Sequence, residues 1–184
     1  MASVDTLICP TDCSSILPVV EFSECAPINL QAQIAKIYLA NDGTPLTNWE
    51  DPAEWATRID NNSVDPTAIR ELTVIGTMAA PSKTEKKISG GRRVYSPEEF
   101  TITGRIDDNS DTNYDFARAT SCNRQYRMWY ATLGGKLYGG NTGILVNFSA
   151  WEEIPEDDQE YAIIAFELKW TLRGKPLRIT NPIA

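Results

Sequence analysis

The chain has 184 residues, a net charge of −8, 42% hydrophobic residues and no histidine. This is the composition of a globular protein long enough to bury its own core. The acidic balance excludes a general nucleic-acid binder and speaks against an anionic membrane surface, because both need Lys and Arg. The lack of histidine removes the commonest general base, metal ligand and pH switch.

Residues 1–30 read as an extended N-terminal arm, punctuated by Pro10, Pro18 and Pro27 and carrying apolar patches at Leu7-Ile8 and over 16–20. There is no basic n-region, long apolar stretch or bilayer-length run, so the expectation is cytosolic synthesis and no membrane partner. The four cysteines are Cys9, Cys13, Cys25 and Cys122. A structural zinc site is one reading of them. The missing Cys-x-x-Cys pair and the distant fourth ligand favour the other, reduced thiols packed as small apolar residues, and no cofactor is expected.

From there the pattern predicts a strand over residues 34–40, then a turn at Asn41-Asp42-Gly43-Thr44-Pro45. Asp51-Pro52-Ala53-Glu54 reads as a helix start: Asp51 caps, Pro52 suits the first helical position, and Glu54 completes a capping box. That helix should end near Ile59. A strand over 69–79 and a cleaner one over 98–106 follow, the latter with Phe100, Ile102, Gly104 and Ile106 on one face. Between them lies a long polar loop, 81–96, with Gly90-Gly91. The acids of 107–111 suit the start of a second helix running to about Cys122. Strands over 125–132, 137–139 and 143–151 come next, the first two joined by a tight hairpin at Leu133-Gly134-Gly135-Lys136. The strongest element is last: Ala162, Ile164, Phe166, Leu168, Trp170 and Leu172 alternate with a wet face.

The fold class is therefore mainly β: an antiparallel β-sandwich or partly closed barrel with one or two short helices, one plugging an open end. The domain occupies 31–175, and 176–184 is an extended C-terminal tail. No βαβ rhythm or internal repeat is present.

No constellation points to an enzyme. Gly134 to Gly140 lacks the spacing of a phosphate loop and reads as hairpin turns. No serine sits in a nucleophile elbow, and no histidine exists to activate one. The six acids within 152–160 lack the alternating pattern of a calcium loop. Five tryptophans raise an alternative function, a monomeric carbohydrate- or ligand-binding β module, although Trp170 falls on the dry face of its strand.

Charge placement is more telling. Lys83, Lys86, Lys87, Arg92 and Arg93 crowd the 81–96 loop against a single acid, Glu85. Glu152, Glu153, Glu156, Asp157 and Asp158 form a projection of opposite sign. These ten residues are candidates for inter-subunit contact, because unlike patches at different places on one surface associate head to tail and close into rings or continue as filaments.

The layout of residues 30–175 resembles the tail-tube and related tail-ring or neck proteins of tailed bacteriophages, with the flavour of phages infecting Bacteroidetes. The stretches that carry the likeness are Phe100-Thr-Ile-Thr-Gly-Arg-Ile-Asp-Asp-Asn with the helix after it, Tyr126-Arg-Met-Trp-Tyr, Lys136-Leu-Tyr-Gly-Gly-Asn-Thr-Gly-Ile and the strand ending Trp170-Thr-Leu. The resemblance implies a virion structural protein assembled in the host cytoplasm. It also implies self-association into a ring, commonly a hexamer, contact with neighbouring tail or neck proteins, and a lumen through which DNA passes. The 81–96 loop and residues 1–30 would then clamp adjacent copies.

Overall fold

The computed structural model describes residues 32–120, 125–156 and 161–183. The N-terminal segment read as an arm and all four cysteines lie outside the described residues, as do Asp157 and Asp158. In chain order the elements are β1 (Ile34–Asn41), α1 (Pro52–Arg58), β2 (Arg70–Met78), β3 (Glu85–Lys87), β4 (Arg93–Tyr95), β5 (Glu98–Ile106), α2 (Asp111–Thr120), β6 (Gln125–Thr132), β7 (Lys136–Tyr138), β8 (Ile144–Glu153), β9 (Ile163–Leu172) and β10 (Arg178–Thr180).

The protein is mainly β, and the sheet closes on itself. Strands pair in the order β1-β2-β5-β9-β8-β6, every pair antiparallel, and β6 returns to β1 through Leu39 opposite Met128 and its neighbours. Of the two expected architectures, the barrel is the one that forms. Closure leaves no long edge for stray pairing. It also gives an interior, filled by one face of each strand: Ile37, Val74, Ile102, Met128, Val146, Phe148, Phe166 and Leu168 among others. Rings order this interior, with Phe100 stacked on Trp170 at 5.3 Å and Phe148 5.9 Å from Phe166.

Closing so few strands demands tight coiling, and glycine supplies it. Gly76 lies opposite Gly104 in the β2–β5 ladder. A Cβ on Gly104 would sit 2.6 Å from the Ile75 carbonyl oxygen, 2.8 Å from the Gly76 Cα and 2.8 Å from the Phe166 ring. Only a residue without a side chain allows that approach.

Antiparallel registers define two barrel ends. One gathers the end of β1, the start of β2, the end of β5, the start of β9, the end of β8 and the start of β6. Here α2 packs against β8, placing Ala117 in the core and Phe116 5.9 Å from Phe148, as the expected plug. Its first turn is held by Ser110, whose hydroxyl accepts from the Asn113 N–H at 3.4 Å. The opposite end gathers the start of β1, the end of β2, the start of β5 and the end of β9.

A second core lies outside the barrel. Tyr38 and Ala40 of β1 and Trp129 and Ala131 of β6 point outward, where residues 42–69 cover them with Leu46, Trp49 and Trp55. Trp55 is fully buried, 5.2 Å from Tyr38 and 5.4 Å from Trp129, and donates its indole N–H to the Trp49 carbonyl at 2.8 Å. Burying roughly 200 Å² of such a ring is worth ~5 kcal/mol at about 25 cal/mol per Å². Because β1 and β6 are dry on both faces, their sequences read as near-continuous apolar runs.

Two segments differ from expectation. The 81–96 loop is a β-hairpin, β3 paired with β4 and closed by a 3₁₀ turn at Ser89–Gly91. The C-terminal tail adds β10 to β7, with Ile179 opposite Leu137. The β6–β7 hairpin forms as expected, with Gly135 at φ 69° in its three-residue turn.

Candidate functional site

The β3–β4 ribbon prolongs the β2–β5 pair beyond the barrel, through the Ser82–Glu99 bridge. Every residue of both its strands is exposed. Two-stranded ribbons are marginal in water, so its own contacts matter. Glu85 and Tyr95 face each other, as do Lys87 and Arg93, and these share one face. That face holds the ion pairs of the ribbon: Arg93 meets Glu85 at 2.9 Å, Lys83 meets Glu98 at 3.3 Å, and the Lys83 ammonium lies 5.4 Å from the Tyr95 ring centre. On the other face Lys86 pairs with Val94, and the Ile88 N–H donates to the Arg92 carbonyl at 2.9 Å. Among the described residues, Lys86, Lys87 and Arg92 make no ion pair. Ile88, Val94 and Tyr95 are large apolar groups left in water.

The described acidic candidates, Glu152, Glu153 and Glu156, lie at the other end of the barrel. Glu152 and Glu153 end β8, and Glu156 follows in a bend. Glu152 accepts from the Asn109 side chain at 2.8 Å, which ties it to the entry of α2. Glu153 sits opposite Ile163 on the outer face. Among the described residues, the structure therefore does not bring the basic and acidic candidates together within one chain. β9 alone spans ten residues between their levels, about 30 Å at roughly 3.3 Å per residue.

Sequence reading missed the surface beside those acids. Ile75, Arg105, Ala165 and Trp151 form a row across the outer faces of β2, β5, β9 and β8. Trp151 is 47% exposed, whereas Trp49, Trp55, Trp129 and Trp170 are buried. Ile154 and Tyr161 nearby are exposed as well. Arg105 is held by Asp107 at 2.9 Å. A shallow groove of about 330 Å³ runs here, lined by Ile75, Thr103, Arg105, Glu153, Ile163 and Ala165. The signal was present in β8: Leu145, Asn147, Ser149 and Trp151 share the solvent register, so Trp151 is a large aromatic placed in a solvent-facing position.

A smaller cavity of about 200 Å³ opens between β1 and α2, lined by Leu39, Asn41, Arg70, Phe116 and Tyr126. Its guanidinium is already engaged, since Arg70 donates to the carbonyls of Asp60 and Ser63. Burial, and then the charge of Glu71, holds the Tyr38 hydroxyl far above the ordinary phenol range, and burial does the same for Tyr130. Neither ionises near neutral pH. Among the described residues no cluster of Cys, Asp and Glu side chains is set to hold a metal ion, and no helix is long and apolar enough to cross a membrane.

No protein-family model matches this chain, and neither does any curated protein or solved structure.

Proposed function

We propose that this chain is a structural subunit, not an enzyme, and that it assembles with copies of itself into a ring or tube segment of a phage tail or neck. The observation that carries the assembly reading is the ribbon. It is an ordered hairpin outside the barrel with every residue exposed, and it bears five cations and three large apolar side chains. A lone domain gains nothing from such a projection, whereas a neighbour that covers it gains apolar burial and charge neutralisation. The phage setting rests on the resemblance of residues 30–175. A net charge of −8 suits a lumen from which DNA must slide without sticking.

Sedimentation velocity on the purified chain, with negative-stain microscopy of the same sample, tests the reading. Closed rings or stacked tubes are expected. A monomer at every concentration would refute it.

Trp151 favours a second reading, a carbohydrate- or ligand-binding module, because an exposed indole on an outer sheet face can serve as a stacking platform. Glycan-array binding that disappears in Trp151→Ala would support that reading over assembly.

A further inference from the structure

We infer that the ribbon of one copy docks on the outer face of β8 and β9 of the next, with Lys86, Ile88, Arg92 and Val94 laid against Trp151, Ile163, Glu153 and Glu156. This deepens the assembly reading and rests on it.

Three observations choose that surface. The first is position. The ribbon leaves the barrel at the end where β5 starts and β9 finishes, and it continues away from the barrel. The Trp151 surface lies at the opposite end, where β8 finishes and β9 starts. The Trp151 surface of a copy therefore does not reach its own ribbon, and a contact between these two surfaces is one between copies. It is heterologous, since the two surfaces differ, and such contacts propagate or close into rings.

The second is charge. Lys86 and Arg92 share the ribbon face that has no internal ion pair, whereas on the other face Arg93 and Lys83 are already matched and Lys87 alone makes no ion pair among the described residues. Glu153 and Glu156 make no ion pair among the described residues. The only nearby cation of the row, Arg105, is neutralised by Asp107. Unlike charges left unmatched on two surfaces attract, and they fix the register of docking.

The third is apolar content on both sides. Ile88 and Val94 lie on the same ribbon face as those free cations, and Trp151 and Ile163 lie beside the acids. An aromatic anchor ringed by charged groups is the usual anatomy of an interface centre. The outer faces of β1 and β6 offer no such site, because Trp49, Trp55 and Ile69 already cover them.

Charge reversal with compensation tests the assignment on the full chain. Lys86→Glu with Arg92→Glu, and separately Glu153→Lys with Glu156→Lys, should each weaken association at least tenfold by sedimentation velocity. All four changes in one chain should restore it, with circular dichroism and melting unchanged throughout. A photo-reactive phenylalanine analogue placed at Val94 should cross-link to peptides containing residues 144–156 or 161–172. If rings form but the cross-link lands elsewhere, or the fourfold reversal does not recover, the receiving surface is wrong while the assembly reading stands. If the unmodified chain never associates and never cross-links, both fall.

Discussion

At the scale of single residues, two positions show how local chemistry sustains this barrel. Gly104 is the tighter. Alanine there would press on the Ile75 carbonyl, the Gly76 backbone and the Phe166 ring at once, and two of those three are main chain that cannot rotate away. Gly104→Ala should therefore destabilise the protein by about 1–3 kcal/mol, the usual cost of overpacking, read as a lowered urea midpoint. Glu54 is the less obvious case. Its place three residues after Asp51 predicts a capping box, yet its two carboxylate oxygens accept from the Thr47 and Asn48 N–H groups, each at 2.8 Å. Asp51 alone caps α1, accepting from the Ala53 N–H at 2.9 Å. Partial burial pushes the Glu54 carboxyl up, but the Asn48 and Thr47 hydrogen bonds and the charge of Arg58 outweigh it, so the group titrates below its ordinary 4.5. A carboxylate with a depressed folded pKa stabilises fully above the unfolded value and loses that contribution as pH falls through the folded one. Glu54→Gln offers one acceptor where two are needed. It should cost ~1 kcal/mol at pH 7, a figure kept low because the group is solvent-screened. The gap between wild type and variant should then shrink as pH falls below 4.5. Denaturant midpoints at pH 7 and in acid check both halves.

At the scale of elements, the ribbon separates assembly from stability. Because β3 and β4 bury nothing, deleting residues 82–93 should leave a cooperative thermal transition within a few degrees of wild type, while rings disappear from micrographs. A deletion that unfolds the chain would show the ribbon to be part of the core. The same lack of burial explains why its sequence reads as a loop. Glu85-Lys86-Lys87 carries no alternation of apolar and polar residues, since neither face is dry. Where one face is dry, as in β5 and β9, alternation revealed the strands within a residue of their ends. β10 stayed hidden because it is short and flanked by Pro176 and Pro182. The β1–β6 pairing that turns a sheet into a barrel was illegible for a different reason. It joins segments about ninety residues apart, and strand patterns report which face is buried, not which neighbour supplies the cover. The basic half of the candidate site was visible as a charge run. Its apolar half was not, because Trp151 announces itself only once the register of β8 is known.

At the scale of the molecule, the barrel is polarised. Between 81 and 96 there are five cations against one anion, and at the far end 152–156 holds three acids and no base. Copies approaching end to end feel attraction, and copies approaching like end to like end feel repulsion, so the field selects orientation before any contact forms. That attraction is carried by exposed groups and must therefore be screened. The Debye length falls from about 10 Å at 0.1 M salt to about 3 Å at 1 M. Raising sodium chloride across that range should weaken self-association by roughly an order of magnitude, mostly through a slower encounter rate. The apolar pairs at the centre of the contact respond the other way to sulfate, which is excluded from protein surface and strengthens burial. The two salts at matched ionic strength should accordingly diverge, with sulfate retaining association that chloride loses, measured by light scattering on one preparation. Association that rises with chloride would mean that Ile88, Val94 and Trp151 carry the contact and that the segregation of charge serves only to orient it.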